Sequence, residues 1–373
     1  MSGRKKLNWK AFFSIVLLFV LLLQSGCAFK DIDKRIFIVG IGIDPSDKVR
    51  NGFEVTLKLA QPIGSIKQQE APTYAYISHD SESVAEAIRT MESHVDKVLE
   101  MGHNRIIVIN EKLLSEDLNT FMDYFTRRGD IQMISYVTVA EKSAKDIVSF
   151  EPTTETPASV ALYNFFDNTG TDSPFVVTTF LFKFRREVLS EGIHTVLPII
   201  ETDEENHSFI INKSVVLKEG DKPVKLTSTE TKYLNSLLYH ATGFSYKVEE
   251  NGLLMVLNID EVKMKYKIVL DEGTPRIDMK VTKVGIIGES NKFINIDKLG
   301  KFNKVAEEDM KKKVMELLTK LQENDVDPFG FGIRYRATRL SHEGIMDEWN
   351  RIYPEIEFNV TLNVELKSPG AVE

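Results

Sequence analysis

Cysteine is almost absent from this sequence. Cys27 is the only one among 373 residues. A single thiol cannot close a disulfide within the chain, and once it is modified no thiolate remains for catalysis or for metal binding. Disulfide-stabilised folds and cysteine-liganded metal centres are therefore excluded.

Long apolar runs are also scarce. The N-terminal one extends from Ala11 to Leu23 and is interrupted only by Ser14. Its length of about thirteen residues is short of the roughly 20 that a permanent membrane-spanning helix needs. Basic residues precede the run and small residues follow it, which is the pattern of an export signal. The sequence therefore predicts a signal peptide at residues 1–26 that is removed.

The residues around Cys27 indicate a lipid anchor. Cys27 directly follows Ser25-Gly26, as in bacterial lipoprotein signals, although Gln24 stands where such signals usually carry leucine. We expect the Cys27 thiol to take a diacylglycerol and the new amino group to be acylated. The alternatives are a free buried cysteine and an uncleaved anchor. Two or three acyl chains would hold the protein stably at a membrane, because one chain alone binds reversibly.

The chain lacks an excess of positive charge. Its formal net charge is −8, and removal of residues 1–26 would make it −12. Binding of nucleic acid depends on basic side chains that neutralise phosphates, and here the basic residues are scattered. We therefore expect no nucleic-acid partner. The hydrophobic and charged fractions of 42% and 27% are ordinary for a globular protein.

Motifs of known chemistry are missing as well. Gly40-Ile41-Gly42 lacks the third glycine of a dinucleotide fingerprint, and no lysine follows Phe329–Gly332 as it would in a phosphate loop. The seven histidines are dispersed. Glu201–His207 could offer carboxylates to a metal, but without fixed ligand spacing we interpret it as a solvated linker. We predict no catalytic residue, no cofactor site and no metal site.

Hydrophobic periodicity predicts a mixed α/β (α+β) protein in which strands and helices are interleaved. We expect three domains, each a mixed or antiparallel sheet with flanking helices. Their predicted bounds are 27–200 for an N-terminal mixed α/β domain, 205–250 for a small middle domain and 251–373 for a C-terminal α+β domain.

The N-terminal segment contains five predicted strands and several predicted helices. Ser83 and Glu86 form a possible capping box at the start of one helix. The strands are Arg35–Ile43, Phe53–Leu59, Thr73–Ser78, Arg105–Ile109 and Ile134–Val139; the helices are Val84–Val98, Leu113–Phe125, a short one at Ala158–Phe166 and an aromatic-rich one at Pro174–Leu189.

The remaining pattern is clearest near the C-terminus. Asp327-Pro328 is a suitable N-cap and N1 pair for a helix that ends before Pro354. The other predicted elements are a strand pair within Phe209–Leu217, a helix at Ser228–His240, a hairpin of Val262–Leu270 with Ile277–Val281, an amphipathic helix with Ala306 to Leu321 on its buried stripe, and an alternating last strand at Ile356–Leu366.

Taken in order, short motifs behind the lipoprotein signal resemble the Ger(x)C lipoproteins, the C subunits of nutrient germinant receptors in endospore-forming bacteria. One departure is Ala28-Phe29, where the family usually has Trp-Asp. The matching motifs are Gly26-Cys27, Asp31–Asp33, Ile38–Asp44, His103, Arg127-Arg128, Tyr136–Ala140, Ala144–Ile147, Leu197-Pro198, Asp327–Gly332, Trp349 and Tyr353-Pro354.

The resemblance implies a non-enzymatic subunit on the outer face of the spore inner membrane, beside two polytopic partners, the A and B subunits. It also implies three mixed α/β domains. A solute-binding lipoprotein of a transporter and a cell-envelope hydrolase are the alternatives. Only about eight residues separate Cys27 from the first strand, so the N-terminal domain should stay within about 30 Å of the bilayer. We expect that domain to meet the partners, with later segments further out.

Overall fold

The computed structural model confirms the mixed α/β class. It describes residues 9, 12–14 and 34–368, except for 61–73, 116–117, 154–161, 163, 167–172, 241–242, 251, 271–273 and 341. Two sheets with flanking helices account for the regular structure of these residues.

The first sheet has nine strands in the described part of the chain, in the order β3-β2-β1-β5-β6-β7-β8-β9, with β4 paired to the beginning of β1. The strands β1, β5, β6 and β7 run parallel, and antiparallel strands flank them on both sides. The bounds are β1 Arg35–Pro45, β2 Phe53–Ala60, β3 Tyr74–Ser81, β4 Val98–Glu100, β5 Ile106–Asn110, β6 Tyr136–Ala140, β7 Thr195–Asp203, β8 Ser208–Leu217 and β9 Val224–Leu226.

Helices cover both faces of this sheet, so its central strands are buried. Every residue of β5 and of β6 is buried, as expected of short apolar runs in a parallel sheet. One face packs on α1, α2 and α4, and the other packs on α3. The helices are α1 Val84–Met91, α2 Leu118–Arg127, α3 Ala144–Ser149 and α4 Leu181–Val188.

The second sheet has the order β10-β11-β12-β13, and β13 is parallel to β12. The predicted hairpin and the predicted stripe from Ala306 to Leu321 are both present, and the stripe is buried. The bounds are β10 Phe244–Glu250, β11 Leu253–Val269, β12 Arg276–Ser290, β13 Glu357–Leu366, α5 Ser228–Tyr239, α6 Leu299–Glu323, α7 Phe331–Ala337 and α8 Ile345–Ile352.

The segment 205–250 contributes to both sheets. Strands β8 and β9 extend the first sheet, whereas β10 forms one edge of the second. Helix α5 packs against β8, β11 and α6. The division into three domains stays a prediction. The predicted strand pair within Phe209–Leu217 is one strand, and Glu201–His207 is not a linker: it is the end of β7 with a tight turn into β8, in which His207 has a φ of 46°.

Several predicted helices have different bounds. The helix predicted to follow Asp327-Pro328 and to end before Pro354 is two helices, α7 and α8. Helix α1 ends at Met91, and Val98 belongs to β4. A 3₁₀ turn at Glu111–Leu113 precedes α2. Helix α4 begins at Leu181 rather than Pro174, because Phe180 forms a β-bridge with Tyr136. The predicted short helix at Ala158–Phe166 lies largely outside the described residues.

The predicted capping at Ser83 is present in part. Its hydroxyl accepts from the backbone N–H of Glu86 at 3.2 Å. The Glu86 carboxylate instead accepts from the Ser81 hydroxyl at 2.7 Å. The helix start is therefore correct, but the capping is not reciprocal.

Candidate functional site

The predicted lipidation site, Cys27, lies outside the described residues, so lipidation stays a prediction. Among the residues that the structure describes, no helix is both long and apolar enough to span a bilayer. In the same ranges, no three His, Cys, Asp or Glu side chains are grouped so that they could hold a metal ion.

The structure brings together an unusual group of polar residues where the two sheets meet. A cavity of about 440 Å³ opens there, and we call it the junction cleft. Carboxylates predominate among its ionisable groups. It is lined by residues 187–195, Leu217, Lys218, Glu219, Asp325, Asp327, Trp349, Asn350 and Tyr353.

Reciprocal hydrogen bonds join His194 and Asp327, which both line this cleft. The His194 backbone N–H donates to the Asp327 carbonyl oxygen at 2.8 Å. The Asp327 backbone N–H donates to His194 Nδ1 at 2.7 Å. Because Nδ1 accepts, the proton of the neutral ring is on Nε2. The bonds join the segment before β7 to the segment after α6.

The Asp327 carboxyl group is buried and only partly satisfied. Its Oδ2 accepts from the Gly332 backbone N–H at 2.9 Å, whereas Oδ1 has no partner within hydrogen-bonding geometry. Burial raises the pKa of Asp327 to about 7, against the opposing effect of backbone N–H groups in the turn that follows it. The group can therefore change its charge near neutral pH.

His194 is shifted in the opposite direction. Burial, followed by the nearby Lys218 ammonium, lowers the pKa of His194 to about 4. The ring is therefore neutral at physiological pH, as its acceptor role at Nδ1 requires.

Two glycines let the backbones approach at this point. Gly192 has a φ of +84°, and a Cβ added at Gly332 would lie 2.6 Å from the Gly192 Cα. The Ile333 backbone N–H donates to the Gly192 carbonyl oxygen at 3.1 Å. A side chain at Gly332 would therefore separate α7 from the segment before β7.

An ion pair and a tyrosine also connect segments that line the cleft. The Lys218 ammonium lies 2.6 Å from an Asp325 carboxylate oxygen and 3.0 Å from one of Asp221. The Tyr353 hydroxyl donates to the Val326 carbonyl oxygen at 2.8 Å. Strand β8, the end of α6 and the segment after α8 are therefore tied together.

The predicted role of Asp327-Pro328 is corrected by this geometry. Helix α7 begins at Phe331, and its N-cap is Gly330 with a φ of 69°. Asp327 is not the N-cap, and Pro328 is not at N1. The Asp327 carboxylate instead accepts a backbone N–H from inside the helix, four residues after Pro328.

Motif residues far apart in sequence converge on the junction cleft. Asp327, Trp349 and Tyr353, each within a motif of the family resemblance, line it. Gly192 and His194 were missed by the sequence analysis. His194 bonds to a residue 133 positions away along the chain, and Gly192 meets Gly332 at a similar separation. No local pattern reports such contacts.

A second motif cluster fixes the first sheet. The Asp44 carboxylate at the end of β1 accepts from the backbone N–H groups of Ala144 and Lys145, each at 2.8 Å. It also accepts from the Asn110 side-chain amide at 2.7 Å. The carboxylate lies at the N-terminus of α3, where negative charge is favourable. We assign this cluster to the fold rather than to a ligand.

Comparison with known proteins places the chain in a family. Residues 29–202 match the family model described as "Spore germination protein N-terminal domain", and residues 212–370 match "Spore germination B3/ GerAC like, C-terminal". The chain therefore belongs to the GerAC family of spore germination proteins, the Ger(x)C family that the motifs resemble.

Individual relatives cover the chain almost from end to end. Spore germination protein B3 of Bacillus subtilis (strain 168) is 22% identical over 370 residues, which are 96% of this chain and 97% of that protein. Spore germination protein KC of the same organism is 22% identical over 395 residues, with 97% and 96% covered.

The fold is shared with a solved relative. The crystal structure of the GerBC protein superimposes with a TM-score of 0.58 at 16% identity, covering 88% of this chain and 97% of that one. At this identity the match supports the fold alone. It agrees with the two-sheet mixed α/β architecture described above.

Proposed function

We propose that this chain is the membrane-anchored lipoprotein subunit of a spore germinant receptor and that the germination response to nutrients requires it. The observation that carries the proposal is the match of both family models, in order, over nearly the whole chain. Membership of a spore germination family supports a role in germination, and the Cys27 motif supports attachment to a membrane through a lipid.

We propose further that the subunit acts by contact and without catalysis. Its partners are the polytopic A and B subunits, and its location is the outer face of the spore inner membrane. The junction cleft supports a contact role, because its polar groups connect two structural units. A transporter's solute-binding lipoprotein would have two similar lobes, whereas the two sheets here have nine and four strands in the described ranges.

Deletion of the gene tests the proposal. We expect spores without it to lose germination to at least one single nutrient, in a strain that lacks redundant receptors. Restoration by the parent gene is the control. Unchanged germination to every nutrient tested would contradict the receptor role. Neighbouring genes for two multi-spanning proteins support the receptor, and an ATPase with a permease supports the transporter instead.

The anchor has its own test. We expect Cys27→Ala to give a folded protein that is lost from spore membranes, because no other thiol is present. Mass spectrometry of the parent protein should find a lipidated Cys27 as the first residue. A parent chain that retains Met1, or that is cut elsewhere, would contradict processing at Cys27.

A further inference from the structure

The turn between β12 and α6 exposes two large apolar side chains. Phe293 is 85% exposed and Ile296 is 60% exposed, whereas Ile294 between them is buried and only 7% exposed. We call residues 290–298 the lysine loop, because Lys292 and Lys298 flank its apolar tip. Neighbouring apolar side chains on a protein surface mark an interaction site more often than isolated ones do.

Hydrogen bonds hold the lysine loop in shape. Asn291 bonds to the β10–β11 turn on both sides: its side-chain oxygen accepts from the Leu254 N–H at 2.9 Å, and its amide donates to the Gly252 carbonyl at 3.1 Å. Asn295 accepts from the Asp297 N–H at 2.9 Å. With Ile294 anchored in the core, Phe293 and Ile296 are presented outward on an organised turn.

Positive charge surrounds the apolar tip. Residues 290–306 contain four lysines and one acidic residue, Asp297, within a chain whose net charge is −8. The segment lies between Glu289 and the acidic run Glu307–Asp309. The lysines are all exposed: Lys292, Lys298, Lys301 and Lys304.

These lysines have no carboxylate within 4.0 Å in the described part of the chain. Further along α6, by contrast, Lys313 pairs with Asp309 at 2.6 Å. The charge at the loop is thus left for a partner outside the fold.

Apolar tips ringed by lysines fit a bilayer surface that carries anionic lipids. The apolar side chains can enter the boundary between headgroups and acyl chains, while the lysine stems extend along them and keep the ammonium groups among the phosphates. A basic segment is attracted to such a surface only within about a Debye length, roughly 8 Å at physiological salt. The loop must therefore lie directly against the membrane.

We propose that the lysine loop is a second membrane contact of this protein, inserted into the interface of an anionic bilayer. The contact takes from the proposed function only the attachment of the chain to a membrane. It brings one end of the second sheet to the bilayer, and so replaces the expectation that the later segments lie further out.

Tryptophan fluorescence of the full chain reconstituted in anionic phospholipid vesicles tests the contact. Phe293→Trp should shift the added emission to shorter wavelength and should be quenched by lipids brominated on their acyl chains. The emission of the parent, whose mature chain would retain Trp349 alone, is subtracted. Ile296→Trp is a second reporter in case the first variant fails to fold.

Leu340→Trp is the matched control, because Leu340 is 91% exposed and lies at the other end of the sheet. Leu340 follows α7, and the Phe331 ring in α7 lies 5.9 Å from the Phe358 ring. Phe358 pairs with Ile277 at the beginning of β12, whereas the lysine loop follows the end of β12. The 15 residues of β12 separate the two ends by roughly 45 Å. Its emission should be unaffected by the brominated lipids.

Charge is tested by adding Lys298→Glu and Lys301→Glu to Phe293→Trp, which should reduce the quenching, as should vesicles of neutral lipid. Chains that float with the vesicles but show no shift and no quenching at positions 293 and 296 overturn the loop contact and leave the anchor intact. Quenching at 340 instead shows that the opposite end faces the bilayer and overturns it too. Chains that do not float overturn both the attachment and the contact.

Discussion

Burial shifts the pKa values of two ionisable residues that line the junction cleft in opposite directions. It lowers the pKa of His194 to about 4 and raises the pKa of Asp327 to about 7. Folded Asp327 binds more protons than the unfolded chain between about pH 4 and 7, so its contribution to stability is lost as the pH rises through that window. Folded His194 binds fewer, so its contribution is lost as the pH falls from about 6.5 to about 4.

Single variants should separate these opposed contributions. The difference in free energy of unfolding between Asp327→Asn and the parent should increase by about 3 kcal/mol as the pH rises from about 4 to about 7. His194→Asn keeps an acceptor for the Asp327 N–H. Its difference in free energy of unfolding from the parent should decrease as the pH rises from about 4 to about 6.5. Urea unfolding of the detergent-solubilised chain, followed by circular dichroism, measures both. Variants whose pH profiles run parallel to the parent would contradict the assignment.

At the scale of elements, the junction depends on the close approach of α7 to the segment before β7. A Cβ at Gly332 would lie 2.6 Å from the Gly192 Cα and 2.6 Å from the Trp349 indole nitrogen. We therefore expect Gly332→Ala to reduce the free energy of unfolding by about 1–3 kcal/mol, as overpacking does. Chemical denaturation provides the measurement.

Gly300→Ala is the matched control within another helix. A Cβ there meets nothing within 4 Å, so the change should stabilise the protein by at most about 1 kcal/mol through helix propensity. Equal effects of the two substitutions would show that the packing at Gly332 is not tight.

At the scale of the whole molecule, the proposed contact with the polytopic partners can be tested by cross-linking. Within α4, Phe184 is only 1% exposed, whereas Phe182 is 45% exposed. The Phe182 ring stacks on the Phe180 ring, with 5.6 Å between their centroids. Phe182→Cys should therefore form cross-links to a partner subunit in spore membranes, with Leu340→Cys as an exposed control. A lipidated Cys27 leaves no competing thiol. Cross-links only from positions after residue 251, with none before 189, would show that the first sheet does not face the partners.

The sequence by itself determined those elements whose signal is local. The alternation of β13, the hairpin of β11 with β12 and the buried stripe of α6 follow from side-chain periodicity, which depends on the geometry of one element. The motifs also pointed to the family, because their order along the chain is a property of the sequence.

Tertiary structure decided what depends on partners distant in the chain. Phe180 could continue a helix by its pattern, but its bridge to Tyr136 delays α4. Strand β8 joins the first sheet because β7 and β9 offer it unpaired backbone groups. Asp327 bonds to His194 instead of capping a helix, since the segments before β7 and after α6 meet only in the folded protein. Local sequence carries no record of these contacts, because their free energy arises between segments and not within them.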